Sequence, residues 1–187
     1  MSEPITILVS GGIGTGKTAL RWAGPNFLRP SFGETAAMDL DELHMQIDTD
    51  WSQKDKDWGP LVCQNAVLLA QNYFNHGFKV VLIVGNGLFH PGVNDRFLPD
   101  LLPLSRVYHF TLDPQLDVVV ERVRRRGDLE DHPPEGLKSW LELVQSHVGD
   151  WTQVIDNSAL TPEETLGIIR DAVQKPQGAI TGLLGRE

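Results

Sequence analysis

The sequence is poor in cysteine: Cys63 is the single one in 187 residues. An intramolecular disulfide is therefore excluded, and without a CxxC pair or a Cys/His cluster a structural zinc site is excluded too. One thiol and no disulfide fit a reducing, cytoplasmic setting. Long apolar runs are also missing, and none approaches the ~20 residues of a membrane-spanning helix. The opening Met1-Ser2-Glu3-Pro4 has no basic region ahead of an apolar stretch, so no signal peptide is expected. Cations are scarce: 16 Lys and Arg stand against 25 Asp and Glu, for a net charge of -9. Such a surface repels a phosphate backbone, which argues against nucleic acid as a partner. Two nucleotide-protein signatures are absent as well. No apolar run ends in the aspartate of an hhhhD Walker B motif, and there is no NKxD, which argues against a Ras-like GTPase.

What is present suits one globular domain over residues 1–187, with 41% apolar residues, no internal repeat and no linker. A β-branched run at residues 5–9 reads as a buried strand, and a helix is expected from Lys17 until Gly24-Pro25 ends it. A short strand at 36–38 leads into Asp39, and a short helix follows at 40–47. Polar residues 48–59, carrying Trp51 and Trp58, read as a loop before an amphipathic helix at 61–76. The run 78–84 is the strongest strand, followed by a turn at His90-Pro91-Gly92 and a short helix at 93–102. A strand at 107–112 precedes Asp113-Pro114, read as an N-cap and first helical position, and a helix that runs into Arg124-Arg125-Arg126. An acidic, proline-rich loop at 131–135, a helix at 137–148 and a short strand at 152–155 follow. Thr161-Pro162-Glu163-Glu164 is a capping box opening the last helix, and the stretch from 175 reads as a poorly ordered tail. Alternating strands and helices imply an α/β fold with a parallel sheet and helices on both faces.

One motif is specific. Gly11-Gly12-Ile13-Gly14-Thr15-Gly16-Lys17-Thr18 satisfies G-x-x-x-x-G-K-[ST] between a strand and a helix. Glycines let the backbone approach phosphate oxygens, successive N–H groups form an anion nest, and the helix dipole adds positive potential. Lys17 would reach the terminal phosphates, and Thr18 would ligate Mg²⁺. The loop therefore predicts a nucleotide, with Mg²⁺, as ligand.

Three features together carry a resemblance: the loop at 11–18, the short second strand ending in Asp39, and Glu121-Arg122-Val123-Arg124-Arg125-Arg126 after a strand and an Asp-Pro turn. The chain resembles the adenylate-kinase-like group of small P-loop kinases. Within it the sequence is most similar to the tunicamycin-resistance-protein family, and more distantly to chloramphenicol phosphotransferase. Trp58-Gly59-Pro60-Leu61 and Val107-Tyr108-His109-Phe110-Thr111-Leu112 support that likeness. The resemblance implies a three-layer P-loop NTPase fold whose five-stranded sheet has the order 2-3-1-4-5, with a lid at about 124–148. It implies ATP, rather than GTP, and transfer to a hydroxyl of a small molecule: a nucleoside, nucleotide, sugar or antibiotic such as tunicamycin. The missing Walker B aspartate keeps an alternative open, an ATP-binding protein that sequesters a ligand or switches a partner without transfer. A monomer or homodimer is expected.

Candidate roles follow, each beside a plainer reading. Asp39 lies at the carboxyl end of a strand, where α/β sheets carry their sites, and suits Mg²⁺ or an acceptor hydroxyl. By resemblance it is the catalytic base, and by local pattern it is a helix N-cap. Asp41 suits the substrate, or simply the first helical turn. Arg122 and Arg126 share a helical face and would clamp a transferring phosphoryl group; alternatively the cluster is a solvated helix end. Asn86 suits the acceptor. His90 reads as a possible base or a turn residue, and Trp51 and Trp58 as stacking surfaces or core edge. Cys63 reads as a core residue. By resemblance, the loop after Asp156 and Asn157 lines an adenine pocket through its backbone, so that their side chains matter little.

Overall fold

A computed structural model describes residues 3–49, 56–175 and 178–180. Five parallel strands form the centre: β1 (Ile5–Gly11), β2 (Thr35–Asp39), β3 (Val80–Val84), β4 (Arg106–Leu112) and β5 (Gln153–Ile155). Their order is β2-β3-β1-β4-β5, the order expected from the resemblance. The central strands β1, β3 and β4 are largely buried because both sheet faces are covered there, whereas Gln153 and Val154 of the edge strand β5 are exposed. On one face Ile7, Val9, Leu82 and Phe110 pack with Leu20 and Leu28 of α1 (Lys17–Phe32) and with Leu166 and Ile169 of α7 (Pro162–Val173). On the other, Leu8, Val81 and Ile83 pack with α2 (Leu40–Met45), α3 (Gly59–Asn75) and α4 (Pro91–Leu101). A third, small core joins α5 (Leu116–Arg126) to α6 (Pro134–Ser146) through Val119, Val123, Leu137 and Leu141. No helix among the described residues is long and apolar enough to cross a membrane.

The first helix corrects the sequence reading. It does not stop at Gly24-Pro25 but continues to Phe32, with Pro25 and Pro30 inside it. Each interior proline forfeits a backbone hydrogen bond, at a cost of ~3 kcal/mol relative to alanine. Burial of Leu20 and Leu28 against the sheet offsets part of this, since each fully buried leucine contributes ~2 kcal/mol. Gly24 belongs to that packing: a Cβ there would lie 2.6 Å from Leu82 Cδ2.

Other boundaries move for local reasons. His90-Pro91-Gly92 is no free turn, because Nδ1 of His90 accepts from Gly92 N–H and caps α4. A 3₁₀ turn, Asn86–Phe89, precedes it. Asp113 does not cap α5, whose N-cap is Gln115; its carboxylate accepts from Gln145 Nε2 on α6 instead. The acidic stretch at 131–135 is shorter as a loop than expected, since α6 already begins at Pro134. The capping box at Thr161 and Glu164 forms as read. Of the tail, Ile180 N–H donates to the Val107 carbonyl at 2.8 Å, an antiparallel bridge on β4; residues 176–177 and 181–187 lie outside the described residues.

A chain of buried polar groups braces β4 beneath the end of β1. Ser10 Oγ is 2.8 Å from Thr111 Oγ1, which is 2.9 Å from Thr152 Oγ1. His109 Nε2 lies 3.0 Å from the Leu88 carbonyl and so carries the ring proton, while Nδ1 accepts from Thr152 Oγ1 at 2.6 Å. Burial lowers the His109 pKa from 6.5 to about 3. In that window the unfolded chain takes up a proton that the folded protein refuses, so stability falls as pH drops. The His109 share of the loss is about 2 kcal/mol between about pH 7 and about pH 5. Urea midpoints across that range check it: His109→Gln flattens the slope, and an unchanged slope would remove this assignment.

Candidate functional site

The phosphate-binding loop joins β1 to α1 between two neighbouring strands. Its backbone takes positive φ at Gly11 (146°), Gly14 (79°) and Gly16 (106°), which turns the chain around a concave centre. Contact holds the shape as well as torsion: a Cβ on Gly14 would sit 2.8 Å from Val123 Cγ2 and 2.9 Å from Val119 Cγ1. Helix α5 is thus pressed against the loop. The Lys17 ammonium is buried and donates to the Gly11 and Gly12 carbonyls, each at 2.8 Å. Burial lowers its pKa from 10.5 to about 8, against the opposing pull of Asp41 and Asp39. An arriving anion would restore the charged form. Thr18 lies exposed one residue on.

A cleft of ≈ 340 Å³ opens over the loop, lined by Ile13, Gly14, Gly16, Lys17 and Thr18 together with Asp39, Asp41, Asn86, Arg122 and Arg126. Residues from four separate segments therefore meet in one place. Asp39 arrives through the sheet register, because β2 pairs with β3 so that Asp39 lies opposite Val84. The strand that lacks a terminal aspartate thus receives one from its neighbour. Asp39 also performs the local task read from the sequence, its Oδ1 accepting from Asp41 N–H at 3.0 Å as the N-cap of α2. The Asp41 pKa is raised above 3.8, first by burial and then by Asp39; Lys17, the Asn86 backbone N–H and His44 act against the shift.

The arginines divide. Arg122 Nη1 donates to the Thr15 carbonyl (3.2 Å) and Nη2 to the Asn157 carbonyl (2.8 Å). Asn157 Nδ2 donates to the same Thr15 carbonyl at 2.9 Å. Together they clamp the loop from the end of β5. The side chain of Asn157 is therefore consequential, contrary to the sequence reading, and nothing local signals it because its partner is 142 residues away. Arg126 reaches the cleft with an ion pair to Asp128 at 3.2 Å. Arg124 and Arg125 are turned onto Glu121 and do not line the cleft.

Other candidates fall elsewhere. His90 and Trp58 are not among the cleft-lining residues; Trp58 carries Lys56 5.2 Å over its ring at the entry to α3. Trp51 lies outside the described residues. Burial raises the Cys63 pKa, which suits a core residue rather than a nucleophile. What the assembled groups can do is hold a polyphosphate on backbone N–H groups and Lys17, with oxygen donors and carboxylates beside its outer end.

No protein-family model matches the sequence, and no curated protein does. Solved structures do. The chain is similar to the tunicamycin resistance protein of Deinococcus radiodurans, with TM-score 0.63 and 21% identity over 92% of this chain and 96% of that one. It is similar to a sugar kinase from Janibacter sp., with TM-score 0.64 and 18% identity over 95% and 99% of the two chains. It is similar to the shikimate kinase of Acinetobacter baumannii, with TM-score 0.56 and 15% identity over 92% and 94%. These likenesses establish the fold as that of small P-loop kinases.

The loop geometry makes a stability prediction. Gly14→Ala meets both a positive φ and the two valines, whereas Gly127→Ala meets a positive φ with nothing within 4 Å. Gly14→Ala is expected to cost about 1–3 kcal/mol more than Gly127→Ala in denaturant titrations. Equal costs would mean that α5 does not press on the loop.

Proposed function

We propose that the protein is a kinase that moves the γ-phosphoryl group of ATP onto a hydroxyl of a small molecule. The observation that carries this reading is the meeting, in one cleft, of the phosphate loop with Lys17, Thr18, two carboxylates and Arg126. The loop and Lys17 bind and orient the phosphates. Thr18 and Asp39 offer the hard oxygen donors that suit Mg²⁺, which when bound would neutralise phosphate charge. Arg126 faces the developing charge on the transferring group. Arg122 serves by holding the loop. The acceptor oxygen bonds to the γ-phosphorus, the bond to the β–γ bridging oxygen breaks, and ADP leaves with that electron pair.

The proton of the acceptor hydroxyl goes to Asp41. Two features favour Asp41 over Asp39 for this role. Asp39 is committed to capping α2, and Asp41 alone of the two also borders the second cavity beside the cleft. Burial raises the Asp41 pKa above the ordinary aspartate value, which strengthens it as a base. The segment at about 124–148, from the end of α5 through α6, acts as the lid and carries Arg126 and Trp140.

The direct test is transfer of labelled γ-phosphate from Mg-ATP to pooled nucleosides, nucleotides, sugars and antibiotics, tunicamycin included. Product is expected in one pool and is lost on Lys17→Ala. ATP binding without product in any pool would favour instead a protein that sequesters a ligand or switches a partner.

The base assignment makes a second prediction. Asp41 must be ionised, so kcat/KM falls on the acid side around a pKa above the ordinary aspartate value, raised first by burial and then by Asp39, with Lys17 and His44 opposing. Asp41→Asn is expected to lose ~10²–10⁴-fold in kcat and to abolish that acid limb. Asp39→Asn keeps the limb. A limb that survives Asp41→Asn would transfer the role to another group.

A further inference from the structure

Beside the phosphate cleft lies a second, larger cavity of ≈ 590 Å³. It shares Ile13, Asp41 and Asn86 with the cleft, so the two are continuous at the Asp41 carboxylate. Its walls are apolar. Leu40 and Met45 come from α2, Val62 and Cys63 from the first turns of α3, Val93 from α4 and Trp140 from α6. Trp140 stands close to the phosphate loop, 3.7 Å from where a Cβ on Gly12 would be, and its ring meets Phe89 edge to face at 6.2 Å. The polar side chains in the lining are Asp41, His44, Asn86 and His132; neither lysine nor arginine is among the described residues that line it.

Resting on the kinase reading above, we propose that this cavity holds the phosphoryl acceptor, and that the acceptor is an uncharged hydroxyl compound with a flat or aliphatic apolar body. Phosphorylated and carboxylated metabolites are excluded by the same walls. An anion seated there loses its hydration and, among the described lining residues, finds no lysine or arginine in return. It also meets the Asp41 carboxylate at the cavity mouth, in a protein of net charge -9. A neutral apolar body gains by covering Val62, Val93 and Trp140, and its hydroxyl is then left toward Asp41 and Asn86, the polar side chains shared with the phosphate cleft. The two kinds of surface thus fix the orientation as well as the class of acceptor.

The test compares a matched pair of probes, cinnamyl alcohol and its para-carboxy derivative. Binding of each is measured by calorimetry and by tryptophan quenching, with Mg²⁺ and a non-hydrolysable ATP analogue present. Cinnamyl alcohol is expected to bind roughly tenfold or more tightly than the carboxylate. Trp140→Ala weakens it and removes the quench. Met45→Arg places a cation in the wall and reverses the preference; Met45 is 47% exposed, so the fold tolerates the change. Equal or tighter binding of the carboxylate by the unaltered protein, binding of neither probe, or a preference indifferent to both variants would overturn the proposal. These readouts need no phosphoryl transfer. A neutral preference without labelled product in any pool would sink the kinase reading alone. Labelled product on anionic acceptors only would sink the acceptor inference alone.

Discussion

The Thr15 carbonyl is the point on which the site depends. It accepts from Arg122 on α5 and from the Asn157 side chain after β5, while Thr15 itself closes the loop by donating from Oγ1 to the Gly12 carbonyl at 2.9 Å. A loop of glycines has many conformations open to it, and an anion nest works only if its N–H groups already converge. Two charged or amide donors on one carbonyl, with two valines against Gly14, remove that freedom before any phosphate arrives. The ordering cost is thereby met during folding rather than during binding.

The same contacts tie the loop to the rest of the molecule. Helix α5 packs against the loop with Val119 and Val123, and those residues belong to the small core shared with α6. Movement of α6 would carry Trp140, one side of the apolar cavity, while the Arg122 clamp stays with the loop. The two large cores hold the sheet and its carboxyl-end residues still. The loop-facing groups and most of the apolar wall therefore sit on the large cores, and only the Trp140 side of that wall belongs to a smaller body with fewer buried apolar residues.

Electrostatics divides the site into two neighbouring environments. Over the loop, Lys17 and Arg126 favour negative charge in a chain that is otherwise acidic. A few ångströms away the walls are apolar, and the charged group at the border is a carboxylate. Asp41 stands at that boundary and bears its consequence, because burial and the nearby Asp39 both favour its protonated form. A carboxylate at that boundary faces both the loop and the apolar cavity.

Much was legible in the residues alone. The loop at 11–18, the five apolar strands, the α/β alternation and the capping box at Thr161 are local patterns, set by period, turn chemistry and backbone sterics within a few residues. Strand order came from resemblance, and the structure has it. Tertiary structure alone decided the rest. Whether α1 survives Pro25 and Pro30 depends on what Leu20 and Leu28 pack against, which propensity does not contain. That Asp39 comes to lie beside Val84, at the end of a strand without its own aspartate, depends on the β2–β3 register. That Arg122 and Asn157 hold the loop, and that Leu40, Val62 and Trp140 enclose one cavity, depends on chain segments far apart in sequence meeting in space. Local rules reach about one turn along the chain, whereas a site is a convergence of strand ends, and only the folded sheet brings those ends together.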